Sequence, residues 1–164
     1  MGVHDCSIGL DQRIAQLDAA VRASVRDSPV AQLLCHAPGI GPMTASAALT
    51  VIPDAQHAAA FKNGRQFAAF IGLTPKQHSS GGKTRLLSIH KHGDRYLRGL
   101  LVHGARSVQR TAAHKDDARS RWLVTLGQRR HRNIATVAQA NKTARLIWAM
   151  VRYGRDYCPD GLPT

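Results

Sequence analysis

The stretch LLCHAPGIGPMTASAAL, residues 33–49, sets the frame for the whole chain. An apolar run stops at Pro38-Gly39-Ile40-Gly41-Pro42, and a run of small residues starts at once with Ala45, Ala47 and Ala48. The glycines let the backbone turn sharply. The pattern predicts two short helices, VAQLLCHA and MTASAALTVI, joined by a tight turn, with Ile40 plugging the gap between them and Pro53 ending the second.

Working outward, helical periodicity dominates. Residues 9–26 place Leu10, Ile14, Leu17, Val21 and Val25 at helical spacing, before DSP breaks the run. GRQFAAFI at 64–71 reads as another short helix, closing at GLTP. Residues 74–92 are polar, glycine-bearing and basic, as in a long irregular loop or a hairpin. Asp94 is placed to cap a helix running to about Thr111. Its core side holds Leu97, Leu100, Leu101, Gly104 and Val108, and at ~100° per residue Arg95, Arg98 and Arg106 fall on the opposite side. A helix over 117–127, a basic loop at GQRRHRN and a long helix over 134–153 complete the expectation. The fold class is mostly α: an N-terminal helix over 1–29 resembling a coiled-coil remnant, a helical domain over 30–157 and a tail over 158–164.

Charge narrows the function. Residues 1–73 hold five Lys or Arg against five Asp, whereas residues 74–155 hold eighteen against three, a net of +15. A neutral half joined to a basic half is the electrostatic footprint of a polyanion binder. The chain has no glutamate and its ten aspartates are scattered, which argues against the converging carboxylates of a self-sufficient two-metal nuclease. Three distant cysteines, Cys6, Cys35 and Cys158, make neither a disulfide framework nor a zinc pair and suit a reducing cytoplasm. No stretch has the apolar length of a membrane span.

Two motifs carry chemistry. The Pro38–Gly41 turn leaves amide N–H groups at the start of the following helix, where the dipole favours an anion. It resembles the helix-hairpin-helix motif, which grips nucleic-acid phosphates without reading sequence, and Gly39, Ile40 and Gly41 are the candidate contacts. The same residues also suit a plain tight turn between helices. The second motif is HSSGGKTR, residues 78–85. A serine becomes a nucleophile toward phosphate only with access, cations beside the transition state and a proton acceptor. Gly81 and Gly82 offer access, Lys83, Arg85, Lys91, Arg95 and Arg98 offer charge, and His78 is the nearest base. Ser-Gly runs are also ordinary turns.

The ordered set PGIG, AAFIGLTP, SSGGKTR and KHGDRYLR resembles the C-terminal transposase domain of the insertion-sequence 110/116/902 family, from about Leu33 to Tyr157. The resemblance implies that the serine followed by glycine, Ser80, attacks the DNA backbone and forms a covalent phosphoserine link during recombination, with Ser79 a bystander. It implies Lys91, Arg95 and Arg98 as DNA-holding residues and adds DNA and a noncoding bridge RNA as partners, with homo-oligomers in the full-length form. It also implies a magnesium-binding RNase-H-like domain before the coiled coil. No such acids have matching positions here, so the expected form is a truncated one that binds DNA without transposing alone. The alternative is a non-catalytic helix-hairpin-helix module for DNA or RNA.

Smaller signals complete the reading. His90 and His92 form an i, i+2 pair without the ligands of a zinc site. Trp122 and Trp148 read as core, and Tyr96 as buried, or else stacked on a base or sugar.

Overall fold

In a computed structural model, which describes residues 3–80 and 83–159, the last helix is the one the others pack around. Helix α8 (Arg132–Tyr153) buries Ala135, Ala140, Ala144, Leu146, Ile147, Met150 and Val151 along its length. Against it lie α2 (Pro29–Cys35), α4 (Ala55–Ala59), α5 (Gly64–Phe70), α6 (Arg95–Thr111) and α7 (Ala118–Arg129). Helix α3 (Pro42–Val51) joins α2 to α6, and α1 (Val3–Arg26) packs on α2 and α3. The alanines on α8 are the reason so many helices reach it, because a small side chain lets a neighbouring backbone come close. Gly64, at the start of α5, takes this furthest: a Cβ there would sit 3.0 Å from the Arg145 carbonyl of α8. Trp148 is 8 % exposed and its Nε1 donates to the Ala58 carbonyl at 2.8 Å, tying α4 to α8.

The short helices are held by their ends as much as by their faces. A helix of five to seven residues is marginal on its own. Ser28, Asp54 and Asn63 each accept an N–H from the first turn of α2, α4 and α5, and Asp94 and Asp117 do the same for α6 and α7. The Ser120 hydroxyl also donates to Asp117, and this bond holds the Asp117 carboxyl below the usual carboxylate range.

The mostly α class agrees with the sequence, with two differences in detail. Of the loop and the hairpin open to residues 74–92, the chain forms the hairpin, a two-stranded antiparallel ribbon of β1 (Pro75–Ser80) and β2 (Lys83–Ile89). Helix α1 begins at Val3, ahead of the expected residue 9. The basic run 127–133 is not a loop: α7 continues to Arg129 and α8 starts at Arg132. Leu123 and Leu126 continue the apolar side of α7 against Val108 and Ala135, which carries the helix through the polar sequence. Val25 is the buried anchor of α1, while Leu10, Ile14 and Leu17 are 59 %, 56 % and 60 % exposed.

The turn between α2 and α3 is fixed by contact with α6. Gly39 has φ +84°, and a Cβ on it would lie 2.8 Å from the Gly104 carbonyl. Reciprocally, a Cβ on Gly104 would lie 2.0 Å from the Gly39 carbonyl. Ile40 is 5 % exposed and fills the gap as its apolar side chain predicts. Gly99, on the same helix, has nothing within 4 Å of its virtual Cβ. Gly104→Ala is therefore expected to destabilise the chain by about 1–3 kcal/mol through overpacking. Gly99→Ala should be neutral or stabilising by up to ~1 kcal/mol through helix propensity. Urea denaturation of the two variants checks the pair.

Candidate functional site

The ribbon projects from a neck built by two of the sequence motifs. Helix α5 ends in AAFIGL: Gly72 at φ +81° donates its N–H to Ala69 and Leu73 donates to Ala68, the paired bonds of a Schellman stop. Leu73 is buried and Pro75 opens β1. On the return side, His90 N–H bonds the Thr74 carbonyl and Lys91 N–H the Gly72 carbonyl. Lys91 has φ +60°, a left-handed conformation costly for a residue with a Cβ, and Gly93 follows at φ +78°. The two strands of the neck touch backbone to backbone. A Cβ on Gly72 would lie 2.2 Å from the His92 carbonyl, and one on Gly93 1.9 Å from the Phe70 carbonyl.

Arg98 closes the neck. Its Nη1 donates to the Ile71 carbonyl at 2.9 Å and to the His92 carbonyl at 2.9 Å, one from each side. Asn141 of α8 adds a bond from Nδ2 to the Leu73 carbonyl at 3.3 Å. In KHGDRYLR, then, Gly93 permits the crossing, Asp94 starts α6, Leu97 enters the core and Arg98 clamps the crossing.

Beyond the neck, the register pairs Gln77 with Leu86, His78 with Arg85, Ser79 with Thr84 and Ser80 with Lys83, with a shift between Pro75 and Gln77. Ser80 is the last residue of β1 and its pairing partner is one of the predicted cations. Directly paired positions of an antiparallel ribbon share a side and successive positions alternate. Positions 78, 80, 83 and 85 thus belong to one side, and 77, 79, 84 and 86 to the other. Gly81 and Gly82, and the side chains of Ser80, Lys83 and Arg85, lie outside the described residues.

The remaining predicted residues divide into two groups. Lys91, Arg95 and Arg106 are exposed around the neck and along α6. Gly39 lies against α6 and Ile40 is buried in the core, and Gly41 alone of the three opens outward, as the N-cap of α3 with no atom near an added Cβ. Tyr96 was expected to be buried and is instead 59 % exposed. It follows Arg95 at the very start of α6, one position before the buried Leu97 and off the core side of the helix, and its hydroxyl lies 3.9 Å from Met43 Sδ at the start of α3. The N-terminal ends of α3 and α6 therefore stand side by side, carrying an exposed Met–Tyr pair. Among the described residues no group of three His, Cys or Asp side chains is placed to hold a metal. Asp54 pairs with His57, Asp116 with Arg121 and Asp156 with His36. No step below runs through a metal ion.

The motif set now has a geometric meaning, and comparison with known proteins gives it a name. Residues 31–122 match the model of the transposase IS116/IS110/IS902 family. The chain belongs to that family. It is 51 % identical over 92 % of its length to a probable family 20 transposase of Pseudomonas aeruginosa, covering 44 % of that protein. It is 40 % identical over 90 % of its length to the transposase for insertion sequence element IS1111A of Coxiella burnetii, covering 40 % of it. The chain spans less than half the length of these curated relatives. The matched region opens within α2 and ends within α7, so it contains the PGIG turn, the neck and the ribbon.

If Arg98 clamps the neck, its removal should loosen the ribbon without unfolding the helices. Arg98→Met is expected to speed amide exchange at residues 72–92 while protection in α8 stays unchanged, measured by hydrogen exchange with NMR or mass spectrometry. Uniform loss of protection across both regions would assign Arg98 to the core instead.

Proposed function

We propose that this chain is the DNA-holding, serine-bearing portion of an insertion-sequence transposase, with Ser80 as the nucleophile. The observation that carries the reading is the position of Ser80 at the end of a ribbon strand, paired with Lys83, on a neck fixed by family motifs. A residue there reaches out from the domain, and the rigid neck limits the entropy lost when it meets a phosphate. The Ser80 hydroxyl oxygen bonds to phosphorus while its proton passes to an acceptor. The bond from phosphorus to one strand oxygen breaks, and that oxygen takes up a proton as the free strand end. Attack by a new strand hydroxyl reverses the sequence and frees the serine, so no external energy source is needed. His78, two positions back and on the same side of the ribbon register, is the acceptor that the pairing favours.

DNA lies on the surface formed by the ribbon, the exposed Lys91, Arg95 and Arg106, and the start of α3 at Gly41. The Met43–Tyr96 pair offers an apolar contact to sugar or base there. Arg98 acts through the neck rather than on the phosphate. In the working enzyme an RNase-H-like domain supplies magnesium, a bridge RNA guides target choice, and the exposed Leu10, Ile14 and Leu17 stripe of α1 seats a second coiled-coil strand in an oligomer.

A nicked suicide substrate tests the chemistry by trapping a covalent adduct that survives denaturation. The adduct is expected with the wild-type chain joined to the remainder of a full-length relative. It should be lost in Ser80→Ala and kept in Ser79→Ala. Salt-sensitive binding with no adduct in any form would leave a nucleic-acid-binding module without chemistry.

A further inference from the structure

Next to Asn141 along α8, but turned toward α7, a second group of cations has no ion-pair partner among the described residues. Arg119 of α7 donates from Nη2 to the Thr143 hydroxyl of α8 at 2.6 Å and lies 6.0 Å from the Tyr157 ring. Its guanidinium is largely withdrawn from water, and that burial pulls its pKa downward, opposed by Tyr157 and Asp117. One residue before Thr143, Lys142 places its Nζ 3.7 Å from the ring centre of Trp122, one turn on from Arg119. Burial first, then the charges of Arg119 and Arg145, lowers the Lys142 pKa. Among the described residues, no carboxylate lies within ion-pairing distance of Arg119, Lys142 or Arg145.

Polar atoms on the same two helices are also unmatched. Gln139, fully buried one turn before Thr143, has no partner for either amide atom, and Arg119 Nε has none. Buried polar groups are ordinarily paired, and clustered like charges ordinarily have a counter-ion. A core seam needing only packing would hold apolar residues here, as most of α8 does. Three cations gathered with no carboxylate in ion-pairing distance suit an anion, and sequence periodicity concealed them because Gln139 and Lys142 interrupt an alanine-rich helix face without forming a motif.

We propose that the seam between α7 and α8 is a second phosphate-binding site, in which Lys142 and Arg145 at the rim hold a backbone phosphate of a nucleic-acid strand and Arg119 stands behind it. The proposal rests on the nucleic-acid-binding reading above and adds a contact that no motif assigns. A strand fits better than a lone ion. The same helix pair carries exposed Arg129, Arg130 and Arg132 at its far end, roughly 15 Å away by helix rise, so the cations form a line. The half-buried Trp122 beside Lys142 adds a ring edge to that line. Arg119, shielded from water, contributes charge that solvent screens weakly.

Trp122 reports on the site directly. In a Trp148→Phe background it is the sole tryptophan. Drawing Lys142 off its ring changes its fluorescence. A single-stranded oligonucleotide is expected to produce a saturable change in Trp122 emission at low salt, abolished by Lys142→Gln and preserved by Lys142→Arg. In the same assay Lys142→Gln with Arg145→Gln should weaken binding about tenfold or more and flatten the salt dependence by about one to two phosphate contacts. Arg119→Met should also weaken binding while the melting temperature stays level or rises, because the substitution removes a largely buried charge that lies in no ion pair. A fall in melting temperature with unchanged binding would make Arg119 structural and overturn the site. Tight binding of the oligonucleotide with a silent Trp122 and an unaltered salt slope would overturn it too, leaving the interface at the ribbon intact. Inorganic phosphate moving Trp122 when the oligonucleotide does not would replace the strand with a small anion. Absence of any nucleic-acid binding by the wild-type chain would remove the broader reading instead.

Discussion

Two stretches of main chain, 70–72 and 92–93, are pressed together closely enough that a hydrogen atom is the largest substituent either glycine can carry. Everything that positions the ribbon follows from this contact. It needs left-handed glycines at 72 and 93, and it also imposes positive φ on Lys91, which has no such freedom. It leaves the Ile71 and His92 carbonyls facing a common space, which Arg98 fills with one nitrogen. The same constraint recurs where the PGIG turn meets α6, with Gly39 and Gly104 in mutual backbone contact. Helix α6 is thus gripped at its first turn by the neck and near its middle by the α2–α3 turn.

This arrangement gives a physical reason for motifs that otherwise look like a catalogue of small and basic residues. AAFIGLTP is a helix stop with the start of a strand attached. KHGDRYLR is a crossing, a cap, a core anchor and a clamp in succession. Neither motif needs to touch a substrate in order to matter for one, because both determine where the ribbon stands. A serine on an untethered Gly-rich loop would sample many positions, whereas one on a paired strand samples few.

Electrostatics and packing are separated on the molecule. Helix α8 buries alanines and large aliphatics for most of its length, and the cations stand outside that core on the ribbon, α6 and the α7–α8 end. The seam at Arg119 departs from that division, since it draws positive charge inward with no ion pair among the described residues. With eighteen basic residues against three acidic ones in this part of the sequence, internal neutralisation is not available.

Much was legible in the sequence. Periodicity and punctuation place the helices, Asp94 and the Pro38–Gly41 turn mark two boundaries, and the split between a neutral and a basic half points to polyanions, because spacing, turn chemistry and net charge are local or additive properties of the chain. The long reach of α7 and the exposure of Tyr96 were not legible. Leu126 is kept helical by Val108 and Ala135, residues distant in sequence, and Tyr96 is exposed because it lies off the side of α6 that carries Leu97 into the core. Arg98 reads as one more cation until the Ile71 and His92 carbonyls appear on either side of it, and Lys142 reads as a solvated lysine until α7 brings Arg119 and Trp122 to it. The sequence by itself determined the kind of protein and the residues available to its chemistry. Which cations face outward and which are committed within was decided only by the folded chain, since a guanidinium's role depends on the carbonyls, hydroxyls and charges that tertiary packing sets around it.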